Sequence, residues 1–178
     1  MNTPDAEALY RAVLEQIRAA YPAGTFDAHE GAPDGVAIAG IHSGGAWLAE
    51  RLAHDLGATQ WGVVNVALHR DDYAKKGLHS QARPTALPFE VEGRRILLVD
   101  DVLHTGRTVR AALNELYDYG RPASVELAVL VDRGGRELPV AARFTGGEAQ
   151  QSDPDSTLVL ERADDGRFAL RIEPREAH

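Results

Sequence analysis

The stretch Ile96-Leu97-Leu98-Val99-Asp100-Asp101-Val102-Leu103-His104-Thr105-Gly106-Arg107-Thr108 decides how the rest of the chain is read. Four consecutive aliphatic residues without alternation have the pattern of a strand buried on both faces, as in a parallel sheet covered by helices. That strand delivers two adjacent carboxylates to its C-terminal end, where open α/β sheets bind their ligands. Thr105-Gly106-Arg107-Thr108 then leads into a helical segment, Arg107 to Tyr119, ended by Gly120. Backbone N–H groups, two hydroxyls and the helix dipole at such a turn suit a phosphate monoester. Two carboxylates beside that phosphate would repel it unless they face something else. Vicinal sugar hydroxyls, or Mg2+ held through them, fill that second position. The local chemistry thus points to a sugar phosphate. An isolated Asp-Asp pair can also be no more than the polar end of a buried strand. A phosphoacceptor receiver domain opens with such a strand, but here the pair falls mid-chain and runs into Thr-Gly-Arg-Thr, which a receiver does not use. No Gly-x4-Gly-Lys-[Ser/Thr] occurs, so a P-loop is excluded.

Outward from this stretch the chain alternates strands and helices. Thr3-Pro4-Asp5 reads as a helix start, with Thr3 as N-cap and Pro4 in the first helical position. Leu9, Val13 and Ile17 recur at helical spacing, Tyr21-Pro22 ends the helix, and Phe26 to Asp34 reads as loop. Val36 to Ile41 is a second fully apolar run. The small-residue turn Ser43-Gly44-Gly45 leads from it into a helical pattern at Trp47, Leu48, Leu52 and Leu56. Val63 to Leu68 reads as a strand, and a long irregular segment follows to Gly93; such loops are usually functional or mobile. Val125 to Val131 is a further buried strand. Thr157 to Leu160 and Phe168 to Ile172 form a hairpin around Asp164-Asp165-Gly166. This order predicts an α/β fold with a mainly parallel central sheet flanked by helices.

The 178 residues read as one domain, with residues 1–34 an N-terminal helix and loop and 148–178 a C-terminal hairpin. With 44% hydrophobic and 26% charged residues the composition is that of an ordinary globular protein. No apolar run approaches the ~18 residues of a membrane span, and Met1 to Tyr10 lacks the features of a signal peptide. No membrane association is expected, and the cytoplasm is the expected compartment. The absence of cysteine excludes disulfides, thiol nucleophiles and thiolate metal sites. Seven histidines without coherent spacing make no metal site. A net charge of −8 argues against broad affinity for nucleic acid.

The 96–108 string resembles the 5-phosphoribosyl-1-pyrophosphate (PRPP) motif of type I phosphoribosyltransferases, in its four apolar residues, acidic pair, aliphatic residue and Thr-Gly-x-Thr. The resemblance extends over residues 36 to 147. Arg70-Asp71-Asp72 with Lys75-Lys76, Gly120-Arg121-Pro122, Asp132-Arg133-Gly134 and Arg136-Glu137-Leu138-Pro139 are similar to the PyrR proteins. These are uracil phosphoribosyltransferases that, in many members, also regulate the pyrimidine operon by binding its mRNA leader. The resemblance implies the type I fold with a loop and hairpin hood over the active site. It also implies conversion of uracil and PRPP to UMP and pyrophosphate, with Mg2+ accompanying PRPP.

Residue by residue, the resemblance gives Asp100 and Asp101 the ribose hydroxyls, directly or through Mg2+. Residues Val102, Leu103, His104, Thr105, Gly106, Arg107 and Thr108 would form the rest of the PRPP site, the 103–108 backbone gripping the 5-phosphate. His42, Ser43, Gly44 and Gly45 would be the pyrophosphate loop. Arg70, Lys75 and Lys76 would belong to a flexible loop that excludes water from the reactive sugar. Val131, Asp132 and Arg133 would border the uracil. His104 stands where purine-specific relatives place a proposed basic carboxylate and where close relatives carry Tyr; a histidine there can act as acid or base. Relatives are generally dimers or larger, so a homodimer or higher homo-oligomer is expected.

Besides His104, the chain departs from the family in its pyrophosphate loop and in the segments that bear on RNA binding. Ser43-Gly44 replaces Thr-Arg in the pyrophosphate loop, which removes a charged contact worth ~1–3 kcal/mol to an anion. Arg133-Gly134-Gly135-Arg136 replaces Arg-Gly-His-Arg, and Gly147-Glu148 and Asp153-Pro154-Asp155 stand where relatives are lysine-rich. Both changes remove basic groups and weigh against RNA binding. A compact basic face from Arg11, Arg18, Arg121 and Arg143 would favour it. The expected primary function is therefore the transferase, with RNA-binding attenuation that senses UMP or PRPP as the alternative.

Overall fold

A computed structural model describes residues 3–26, 35–66, 84–149 and 153–175. The expected α/β order is observed. Helix α1 (Ala6–Ala20) precedes strand β1 (Val36–Ile41), helix α2 (Gly44–Asp55) and strand β2 (Gly62–Val64). Strand β3 (Arg95–Leu103), helix α3 (Arg107–Tyr117), and strands β4 (Ser124–Asp132) and β5 (Phe144–Glu148) follow. Strands β6 (Ser156–Arg162) and β7 (Phe168–Pro174) close the chain as an antiparallel pair.

The five-stranded sheet has the order β2-β1-β3-β4-β5 and is parallel throughout. Alternation along β3 explains why its apolar run is continuous. Leu97 and Val99 enter the core beneath α1 and α2, whereas Ile96 and Leu98 enter the core beneath α3, with Val109, Ala112 and Leu116. The chain runs outward from β1 through α2 to β2, and in the opposite direction from β3 through α3 to β4. A topological switch point therefore lies between β1 and β3, where an open α/β sheet forms its ligand crevice.

Three details differ from the sequence expectation. Asp5, not Thr3, is the N-cap of α1, its carboxylate accepting from the N–H groups of Glu7 and Ala8 at 3.0 and 3.3 Å. A carboxylate at this position meets two orphan donors and the helix dipole together, and Thr3 is left outside the helix. The strand expected at Val63 to Leu68 is Gly62–Val64, and residues 67–83 lie outside the described segments. Strand β5 carries Gly146 and Gly147 and was unreadable by strand propensity. The glycines let α1 lie directly on it: a Cβ at Gly146 would stand 2.7 Å from the Leu9 carbonyl oxygen. The Gln16 side chain completes this contact, donating to the Thr145 carbonyl at 2.8 Å and accepting from its N–H at 3.3 Å, so a side-chain amide covers the edge strand.

The β6–β7 hairpin packs on α1 and α2. Buried Glu7 holds it there, pairing with Arg51 at 2.7 Å while accepting from the Phe168 N–H at 3.2 Å. The start of the hairpin reaches the end of β4, where Arg133 Nη2 meets the Ser156 carbonyl at 3.4 Å.

Candidate functional site

At the C-terminal edge of the sheet, β1 and β3 deliver two turns to one place. Asp100 is 6% exposed and its Oδ1 accepts from the Asp101 N–H at 2.8 Å. Asp101 Oδ1 in turn accepts from the Val102 N–H at 2.8 Å. The other Asp101 oxygen faces the 42–45 turn, so closely that a Cβ at Gly44 would stand 2.3 Å from it. The acidic pair and the glycine turn, 56 residues apart in sequence, are thus neighbours. The His42–Ser43 peptide bond in this turn is cis.

Both helices that begin here are open to an anion. Neither α2 nor α3 has an acidic residue in its first turn or a side-chain hydrogen bond from its N-cap residue. In α3 the first helical bond is from the Arg110 N–H to the Gly106 carbonyl, at 3.0 Å, so the N–H groups of Thr108 and Val109 precede it. Gly106 has φ of 95°, a left-handed conformation that admits glycine and lets the chain turn sharply into the helix. Thr105 Oγ1 accepts from the Arg107 N–H at 3.2 Å, and the Arg107 guanidinium pairs with Glu137 at 2.7 Å.

His104 is held from behind. Its Nδ1 lies 2.8 Å from the Gly134 carbonyl, which can only accept, so Nδ1 carries the proton and Nε2 holds the lone pair of the neutral ring. A Cβ at Gly135 would stand 2.7 Å from the imidazole Cε1. The ring therefore occupies space that a side chain at position 135 would need. This clarifies the pairing of His104 with Gly135, which the sequence alone left as two unconnected departures.

The residues expected beside the base are placed differently from one another. Val131 is buried in the core, and the Asp132 carboxylate is gripped by Arg136 at 2.9 and 2.5 Å. Arg133 turns its guanidinium toward the hairpin; its Nε is buried without a hydrogen-bond partner among the described residues. Burial, then the nearby Arg175 cation, push the Arg133 pKa below the ordinary arginine range. Arg70, Lys75 and Lys76 lie outside the described residues. Two arginines proposed for a basic face are already engaged: Arg18 donates to the Asp55 carbonyl at 2.9 Å and Arg143 pairs with Glu126 at 2.6 Å.

Hydrogen bonds from Arg136 hold the Asp132 carboxyl below the usual carboxylate range against the opposing effect of burial, with the Gly134 N–H assisting. A depressed carboxyl contributes stability above its unfolded value and loses it as pH falls through its folded value. Thermal melts of wild type and Asp132→Asn are expected to differ most at neutral pH and to draw together below about pH 4. A gap that stays constant into strong acid would assign the difference to another group.

Among the described residues no three acidic or histidine side chains cluster as a metal site. The hard oxygens of Asp100 and Asp101 fit Mg2+ where ligand and water oxygens complete its shell. Among the described residues no helix is long and apolar enough to cross a membrane.

A parallel sheet in this order, with an acidic pair and a Thr-Gly-x-Thr turn at its switch point, defines a type I phosphoribosyltransferase domain. The phosphoribosyl transferase domain family matches residues 6–160. The Bifunctional protein PyrR of Ralstonia nicotianae is 59% identical over 97% of each chain, and that of Nitrosococcus oceani is 51% identical over 79% of this chain and 81% of its own. The chain belongs to the PyrR family of type I phosphoribosyltransferases. Distant structures share the fold: hypoxanthine phosphoribosyltransferase from Trypanosoma cruzi superposes with a TM-score of 0.60 at 18% identity, over 87% of this chain and 82% of that one. The purine phosphoribosyltransferase from Pyrococcus horikoshii gives 0.55 at 22% identity, over 82% and 83%.

Proposed function

We propose that the protein is a uracil phosphoribosyltransferase that converts uracil and PRPP to UMP and pyrophosphate in pyrimidine salvage. The observation that carries this reading is the meeting of Asp101 with Gly44, which sets the acidic pair between the 42–45 turn and the 104–108 turn. In it, Asp100 and Asp101 hold the ribose hydroxyls, and the 104–108 backbone with Thr105 and Thr108 binds the 5-phosphate. The amides of the 42–45 turn and the α2 N-terminus receive the pyrophosphate, compensating in part for the missing arginine at Gly44. Mg2+, bound with PRPP, supplies neutralising charge to the departing pyrophosphate. His104, with Nε2 as its free acceptor in the neutral ring, is suited to take or return a proton on the base.

The test is nucleotide formation from PRPP and Mg2+ with uracil, cytosine or hypoxanthine offered separately. UMP from uracil alone supports the proposal. Nucleotide from another base overturns the base assignment, and none from any base overturns the enzyme. A second reading, RNA-binding attenuation that responds to UMP or PRPP, is supported by the full-length identity to relatives named as bifunctional. Its test is gel-shift of a pyrimidine-operon leader RNA with and without UMP.

A further inference from the structure

The loop that follows β4 fastens onto the turn that follows β3 through three consecutive carbonyls. The Leu103 carbonyl accepts from the Arg133 N–H at 2.9 Å, and the His104 carbonyl from Arg136 Nη1 at 2.9 Å. The Thr105 carbonyl accepts from the N–H groups of Glu137 and Leu138, at 2.9 and 3.1 Å. These peptide bonds are trans and planar, so each C=O points opposite to the N–H of the next residue. Drawing all three carbonyls to one side turns the N–H groups of His104, Thr105 and Gly106 to the other. A run of N–H groups on one side of a turn is a concave anion seat.

Arg136 is the centre of this fastening. Besides the His104 carbonyl, its guanidinium donates to the Val140 carbonyl at 2.8 Å and grips both oxygens of Asp132 at 2.9 and 2.5 Å. One planar fork thereby joins the end of β4, the loop beyond it and the turn after β3. A lysine cannot reproduce that geometry, because its ammonium is a point charge without a fixed fork.

We propose that Arg136 is a positioning residue: with Asp132 it holds the 133–138 segment as a splint that presets the 104–106 N–H groups for the 5-phosphate of the sugar substrate. This rests on the reading of 104–108 as the phosphate seat. It predicts a specific division of effects. Loss of the fork loosens the phosphate turn but leaves the 42–45 turn, on another element, intact.

The experiment is titration calorimetry of Arg136→Met, Arg136→Lys and wild type with ribose 5-phosphate and, separately, with Mg2+ and pyrophosphate. Arg136→Met is expected to weaken ribose 5-phosphate binding about 10–100-fold, as loss of preorganised geometry does, and pyrophosphate binding less than about twofold. Arg136→Lys, which retains the charge and is the variant to use if Arg136→Met does not fold, is expected to lie between wild type and Met. Arg162→Met, which breaks the ion pair from β6 of the hairpin to Glu50 of α2, should change neither affinity. Equal weakening of both ligands, or no change in either, would overturn the splint. If wild type binds neither ligand, the phosphoribosyl reading fails as well, and the two failures are distinguished by the wild-type titration alone.

Discussion

If the protein is the uracil phosphoribosyltransferase proposed above, replacing both Asp100 and Asp101 by asparagine is expected to lower UMP formation by about 10^3-fold, the scale on which enzymes lose rate when charged groups aimed at the reacting centre are removed. The two positions should not contribute alike. Asp101 turns an oxygen toward Gly44 and the 42–45 turn, so Asp101→Asn should act on PRPP and Mg2+. Asp100 is buried and bonded to the Asp101 N–H, so Asp100→Asn should also disturb the end of β3. Asparagine keeps a carbonyl acceptor for that N–H, which limits the structural cost while removing the charge. Steady-state rates and thermal melts on the two single variants and the double separate these effects. If the double variant melts as wild type does and still forms UMP within about tenfold of it, the acidic pair has no catalytic part.

Gly40→Ala is expected to be strongly destabilising. A Cβ there would stand 2.2 Å from the Gly45 carbonyl oxygen, 2.7 Å from the Ala46 Cα and 2.7 Å from the Ala49 Cβ. Two of those atoms are backbone of the first turn of α2, which cannot swing aside as a flexible side chain would. Helix α2 must therefore move away from β1 and carry the 42–45 turn with it. Overpacking of this kind costs about 3 kcal/mol, which in a protein of this size lowers Tm by about 6–12 °C. Calorimetry reads the shift, and the same variant should weaken pyrophosphate binding. A melting temperature within about 2 °C of wild type would mean that α2 is not seated on β1 as tightly as described.

The strand, acidic pair and turn at 96–108 were legible because each is a local signal. An unbroken apolar run marks a doubly covered strand, and Thr-Gly-x-Thr marks a turn into a helix. The α/β order, the terminal hairpin and the 42–45 turn were legible for the same reason. Strand β5 was not, since Gly146 and Gly147 depress strand propensity and are explained by the Leu130 carbonyl of β4 and Leu9 of α1 lying against them. The cap of α1 was misplaced by two residues because Thr3 and Asp5 are both good caps, and only the observed geometry selects the carboxylate.

Taken alone, the sequence determined the fold class, the position of the acidic pair at a strand end and the family. These follow from short-range periodicity and from a motif contained in thirteen residues. Only the tertiary structure decided that Asp101 meets Gly44, that His104 fills the space above Gly135, and that Arg136 reaches the His104 carbonyl. Such contacts join residues 30 to 60 positions apart through atoms whose approach depends on strand register and helix seating, and no local preference encodes that distance.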